Sequence, residues 1–263
     1  MSSNVFLDQL DAHTLRDRLE NEKLALIIPV GSLEQHGPHL PLGTDAMLST
    51  KVAAGVAEKL GALVAPAFAY GYKSQQKSGG GNHLVGTTSL SAATVIAQTK
   101  DLVTSYLKQG FQQIIFLNGH YENYQFLYEG MDLALESFNK EQLGDRYTLL
   151  LSYWDYVGEE TLAQVYPNGF PGWDIEHGGV LETALMLHLS PHSVDMSRAP
   201  GGPAAVLPKF DRLPVVAART PQSGCLSAPD GATAEKGKLL YDDAVSAIAA
   251  DLALELADAA VAV

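Results

Sequence analysis

The chain has 263 residues, 46% of them apolar, which is enough to bury a substantial core in one large domain or two small ones, so disorder as the main state is excluded. Asp and Glu number 30 against 17 Lys and Arg, a formal charge of −13 that disfavours nucleic acid or an anionic membrane as partner, because phosphate binding needs a cationic face. A lone cysteine, Cys225, can make neither an intramolecular disulfide nor a multi-thiolate metal site, and it fits a reducing, cytoplasmic setting.

The first residues show no basic stretch leading into an apolar segment, so no secretory signal is expected. A polar helix carrying His13 precedes the first strand, expected at 24–30. The next helix has Leu48, Val52, Val56 and Leu60 on its core face and ends at Gly61, and a strand at 63–67 follows. The loop 70–89, with Gly71, Gly79, Gly80, Gly81 and Gly86, is long for a compact domain and has the character of a lid or binding loop. A helix bearing Val95, Leu102, Val103, Tyr106 and Leu107 stops at Gly110 and leads into a very apolar strand at 114–117. A third helix at 124–138, a strand at 147–153, a turn-rich stretch at 166–179 and a helix at about 180–189, halted by Pro191, complete the alternation.

Prolines 200, 203, 208, 214, 221 and 229 leave the segment 199–232 without periodicity, so it is expected to wrap the surface rather than form a separate domain. In the stretch 244–263, Val245, Ile248, Leu252 and Leu256 fall at helical spacing. Asp251, Glu255 and Asp258 interrupt that stretch well short of the roughly 20 apolar residues a bilayer crossing requires, so it reads as a docked amphipathic helix. Strands alternating with helices predict an α/β architecture with a mostly parallel sheet.

In such sheets ligands bind beyond the carboxyl ends of the strands, and three of those ends are unusually polar. After the first strand come Glu34 and His36, with Asp45 at the expected start of the next helix; after the 114–117 strand come His120, Tyr121 and Glu122; beyond the 147–153 strand lie Trp154 and then Trp173, Asp174, Glu176 and His177. Glu34-x-His36 and His120-x-Glu122 are mirror images, and residues two apart on an extended backbone point to one side. With Asp45 they make two imidazoles and three carboxylates, a nitrogen and oxygen set suited to zinc or manganese. Five ligands exceed the needs of one catalytic zinc but serve two ions if a carboxylate bridges.

Each pair alone also fits a capped loop or a surface ion pair, and it is the two together that point to metal. His13, His188 and His192 have a surface character, while His39 and His83 sit in loops beside the site. Ser78-Gly79-Gly80-Gly81-Asn82 lacks the Gly-Lys-Ser/Thr ending of a phosphate loop, no Gly-x-Ser-x-Gly elbow exists, and Cys225 has no neighbouring base, so it reads as structural. The two tryptophans both fall beside site loops, where core packing explains each singly and a flat wall over a small substrate explains both.

The segments 33–37 (Leu-Glu-Gln-His-Gly), 70–83 (Tyr-Gly-Tyr-Lys-Ser-Gln-Gln-Lys-Ser-Gly-Gly-Gly-Asn-His), 118–123 (Asn-Gly-His-Tyr-Glu-Asn) and 172–179 (Gly-Trp-Asp-Ile-Glu-His-Gly-Gly) resemble the creatininase family, and the resemblance extends over essentially the whole chain. It implies a single three-layer α/β/α domain over 1–263, a homo-hexameric assembly, two divalent ions (zinc, manganese or both), and a cyclic amide as substrate, with creatinine and creatine as the reacting pair. It also implies that Glu34 and His120 hold one ion, His36 and Glu122 the other, and Asp45 both. Ser78, Tyr121, Trp173, Asp174 and His177 then match substrate-contacting positions, and Trp154 a wall residue.

The chemistry so implied is attack of a metal-bound hydroxide on the ring carbonyl, with His177 moving a proton to the leaving nitrogen and Glu176 or Glu182 orienting it. Asp174 would face the cationic part of the substrate. Competing readings are a family hydrolase of another small amide, such as a formamide intermediate or a short peptide, and a non-catalytic metal-binding scaffold.

Overall fold

Ala25-Leu-Ile-Ile-Pro-Val30 is buried at every position, and a strand with no solvent face must be covered by helices on both sides. The computed structural model describes residues 4–258 and shows that arrangement. In chain order its regular elements are α1 (Ala12–Asn21), β1 (Ala25–Val30), α2 (Thr44–Leu60), β2 (Leu63–Val64), α3 (Ala92–Gln109), β3 (Gln113–Asn118), α4 (Tyr124–Leu135), α5 (Lys140–Leu143), β4 (Tyr147–Ser152), α6 (Glu159–Val165), α7 (Val180–Leu189) and α8 (Ala234–Asp258). The strands form one parallel sheet in the order β2-β1-β3-β4.

Alternation along the central strands divides the core into two layers. Leu26, Ile28, Val30, Ile114 and Phe116 pack with Val95, Val103 and Leu107 of α3 and Leu127 and Met131 of α4. Ala25, Ile27, Ile115 and Leu117 pack on the opposite face with Leu48, Val52 and Val56 of α2, Leu181 and Leu185 of α7, and Leu240, Val245 and Ile248 of α8. The result is the three-layer, single-domain α/β fold. Gly61 and Gly110 end α2 and α3 in the left-handed conformation, with φ of 71° and 110°, as helix C-caps require.

Several elements differ from their sequence-based limits, among them the helix expected at 124–138, which ends at Leu135. The strand expected at 63–67 holds only Leu63 and Val64, since Pro66 removes a donor and pairing resumes only as a single bridge between Val30 and Phe68. The strand expected to reach 153 ends at Ser152 and tightens into a 3-10 turn, Tyr153–Tyr156, which swings Trp154 out of the sheet. The C-terminal helix begins ten residues before 244, at Ala234, and the end of the expected segment, 259–263, lies outside the described residues.

The segment 199–232 is mostly exposed and contains no strand. It is tied to the long loop by Gln76, whose Nε2 donates to Val216 O at 2.8 Å, and by Thr220, whose Oγ1 donates to Gly80 O at 2.8 Å. No described helix is long and apolar enough to cross a membrane.

Candidate active site

The sheet register brings the site together. Val30 pairs with Asn118 and Asn118 with Ser152, so β1, β3 and β4 end level and their loops leave side by side. The first loop supplies Glu34 and His36, the first turn of α2 supplies Asp45, and the turn after β3 supplies His120 and Glu122. The approach to α7 supplies Glu176 and His177, with Glu182 in the helix's first turn. All eight side chains are buried.

Two imidazoles meet one carboxylate. Asp45 Oδ1 lies 2.8 Å from His36 Nε2, and Asp45 Oδ2 lies 3.2 Å from His120 Nδ1. Glu34 Oε1 stands 2.9 Å from His120 Nδ1 and 3.9 Å from both His36 Nε2 and His177 Nδ1. The carboxylate beside His36 is Glu182, at 3.4 Å, whereas Glu122 faces the far edge of His120, 3.3 Å from Nε2. Glu34, Asp45 and His120 form one compact donor group and His36, Asp45 and Glu182 another, with Asp45 common to both.

The remaining ring nitrogens fix which ones face inward. His36 Nδ1 donates to Glu34 O at 3.2 Å and His120 Nε2 to Tyr72 O at 3.1 Å, leaving His36 Nε2 and His120 Nδ1 as the lone-pair atoms. These assignments follow from the hydrogen-bond partners.

The electrostatics are those of a site built for cations. Five carboxylates are buried here, yet the Lys and Arg ion pairs of the described residues, Arg18–Glu22, Arg198–Asp195 and Lys238–Asp242, all lie on the surface. Burial opposes charge on His36 and His120, but the surrounding carboxylates overcome it and raise both well above the ordinary imidazole range; Glu182 and Asp45 act on His36, Glu34 and Glu122 on His120. Burial favours the neutral form of Asp45, but the two imidazoles lower it. Glu122 is pushed up by burial and by the charge of Glu34, and Glu176 rises to about 7 through burial and the charge of Glu182.

Glu34 Oε2, His36 Nε2 and Asp45 Oδ2 are buried without hydrogen-bond partners. Orphaned ligand-type atoms are costly unless something binds them, and an all nitrogen and oxygen set in two groups sharing a carboxylate fits zinc or manganese.

A cavity of about 50 Å³ opens over these groups. Ser78, Tyr121, Trp154, Trp173, Glu176 and His177 line it, together with Tyr153 and Leu181. Asp174 does not; its side chain is exposed beside Gly172. Trp154 packs edge-on against Tyr153 and Trp173 against Phe170. His177 Nε2 donates to Gln35 O at 2.8 Å, which leaves Nδ1 turned toward Glu34 and able to take or give a proton. Ser78 Oγ donates to Glu122 Oε1 at 2.6 Å.

The other candidates fall outside the cavity. His39 is buried against Thr183, 2.8 Å away, and His83 lies on the outer side of the long loop. The Cys225 thiol is buried against Gly37 and Gly178 and pushed up to about 12 by that burial, which suits a packing role. Glu182 was legible only as an acid near His177; its place at a helix start directly after Gly178-Gly179 is the signal that it turns inward.

The sequence model of the family described as "Creatininase: Creatinine amidohydrolase" matches residues 8–252. The chain is 46% identical over 250 residues to a creatinine amidohydrolase of Pseudomonas putida, covering 95% of this chain and 96% of that protein. Among solved structures it is similar to one titled "Creatininase Mn", with a TM-score of 0.94 at 45% identity, covering 96% of this chain and 99% of that one. A mutant creatininase complexed with creatine gives a TM-score of 0.93 at 45% identity, with the same coverage.

Proposed function

The chain belongs to the creatininase family, and from that premise we propose that it hydrolyses creatinine reversibly to creatine at the cavity above Asp45. The observation that carries the reading is the shared carboxylate: Asp45 offers one oxygen to the His36 group and the other to the His120 group, directly beneath a cavity walled by two tryptophans. The relative named as a creatinine amidohydrolase and the similar structure complexed with creatine support the substrate. In this reading the chain is a single-domain enzyme that works as a homo-hexamer in the cytoplasm.

Two divalent ions, zinc or manganese, complete the site. Glu34, Asp45 and His120 would hold one, and His36, Asp45 and Glu182 the other. The manganese form among similar structures supports this chemistry. Bound there, such ions polarise a carbonyl oxygen and acidify a water to near neutral pH.

The protein's own groups do the rest. Hydrolysis breaks the bond between the ring carbonyl carbon and the ring nitrogen; the water's oxygen joins the carbon, and a proton must reach the departing nitrogen. His177 is placed for that transfer, because Gln35 O holds its Nε2–H and leaves Nδ1 open to the cavity. Trp154 and Trp173 flank the planar ring and exclude water around it. Glu122, fixed by Ser78 and by Gln75 N, faces the His120 ring and holds the loop that carries Ser78 against the cavity. Glu176, bonded to Leu181 N and Ser227 Oγ, braces the approach to α7 beside His177. Asp174, exposed at the rim, meets the cationic guanidino part if the Trp173 loop folds over bound substrate.

The test is substrate choice. The manganese-loaded protein is offered creatinine, a small formamide and a short peptide, and each is followed by NMR. Creatinine opening to creatine, with the others untouched, is the expected result; turnover of the formamide or the peptide alone would move the assignment to another small amide.

A further inference from the structure

Asn123 is fully buried, and its carboxamide joins three separate chain segments. Nδ2 donates to Gly31 O at the end of β1, 3.1 Å away, and stands 3.5 Å from Asn118 Oδ1 at the end of β3. Oδ1 accepts the Tyr72 N–H at 2.7 Å, at the root of the long loop. The carbonyl of that same Tyr72 is the group that accepts from His120 Nε2. Gly71 permits the approach: a Cβ there would lie 2.7 Å from Asn123 Oδ1 and 2.7 Å from Gly31 O.

We infer that Asn123 is a positioning residue that sets the ring of His120 through the backbone of Tyr72, holding Nε2 as the donor so that Nδ1 faces Glu34 and Asp45. The inference rests on the two-ion reading above.

A histidine ligand is oriented by whatever its second nitrogen meets. Two acceptors lie at His120 Nε2, Tyr72 O at 3.1 Å and Glu122 Oε2 at 3.3 Å. Glu122 is itself held by the long loop, through Gln75 N and Ser78 Oγ on its other oxygen. Both acceptors therefore depend on where that loop is rooted, and Asn123 roots it against two strand ends. Asn118 holds the His120 backbone, donating to its carbonyl at 2.8 Å and accepting its N–H at 3.2 Å, which leaves the ring to be fixed from the loop side. His36 receives no contact from Asn123; its Nδ1 is held by Glu34 O, so the second ion's site should not feel the change.

The test compares Asn123→Ala with Gly71→Ala, which pushes the loop root off Asn123 without altering it. Manganese binding to the metal-free proteins is measured by calorimetry, and amide hydrogen exchange is followed at Tyr72 and Gln75. Both variants are expected to bind one ion about 10- to 100-fold more weakly and the other as the native protein does, with faster exchange at Tyr72. Two unchanged affinities, or two that weaken equally, would overturn the inference, the second outcome marking a merely structural role. If Asn123→Ala does not fold, Gly71→Ala decides the matter by the same readouts. A native protein that takes up fewer than two ions would remove the two-ion reading and this inference with it.

Discussion

Asp45 turns Oδ1 to His36, 2.8 Å from Nε2, and keeps its other oxygen for His120. One side chain at the start of α2 thus ties the loop after β1 to the turn after β3, and every functional expectation for this chain depends on that link.

Glu182 stands 3.4 Å from His36 and far enough from the His120 group to belong to one side only. Glu182→Gln is expected to reduce the metal content from two ions per chain to one and to lower kcat, because it removes one of the three groups that would hold the second ion. Elemental analysis after dialysis checks this. Retention of both ions would return the second site to Glu122.

His177 is a member of neither of the two donor groups that share Asp45, standing beside them with Nδ1 3.9 Å from Glu34 Oε1 and its ring centroid 4.2 Å from that of His36. His177→Ala should keep both ions and lose about 10²- to 10⁴-fold in turnover, the usual contribution of a positioned proton-transfer group. Steady-state kinetics alongside metal analysis separates the two effects. Unchanged kcat would take the proton transfer away from His177.

In the metal-free protein the surrounding carboxylates overcome burial and hold His36 and His120 well above the ordinary imidazole range, which favours protonated rings. A raised imidazole stabilises the fold fully below 6.5 and loses that contribution as pH rises through its folded value. Ions compete with those same protons. Metal uptake at pH 7 is therefore expected to release protons and to tighten as pH rises, which an indicator dye in weak buffer reports. Uptake without proton release would mean that both imidazoles are already neutral before metal binds.

Glu176 acts in the same direction, unlike an ordinary paired carboxylate. Its carboxyl rises from 4.5 to about 7 through burial and the charge of Glu182, so between those pH values the unfolded chain gives up its proton first and stability falls as pH increases. Glu176→Gln cannot ionise, and Gln keeps the acceptor for Leu181 N. The metal-free variant should match the native protein near pH 4 and exceed it above pH 7, by at most about 3 kcal/mol. Denaturant unfolding at the two pH values measures the difference, and equal stability at pH 8 would show that Glu176 ionises freely.

The residues that follow the strand ends carry most of this site in the sequence itself. Glu34, His36, His120 and Glu122 stand out because polar residues at two-residue spacing follow apolar strands, and the level ends of β1, β3 and β4 explain why they converge. The partition of ligands was not legible: Glu122 and Glu182 are both acids near a histidine, and only the helical turn of α7 decides which meets His36. Asn123 was equally hidden, since its partners Gly31 and Tyr72 are backbone atoms 92 and 51 residues away. Among the elements, β2 stops at Val64 because Pro66 withholds a ladder donor inside an otherwise apolar run of strand length.

The most direct test of the account is to titrate the chelator-treated protein with manganese while creatine formation from creatinine is followed by NMR. Activity that is absent without metal and reaches its plateau at two ions per chain is the predicted result. Full activity with no metal, or a plateau at one ion, would contradict the shared role of Asp45 on which the whole reading stands.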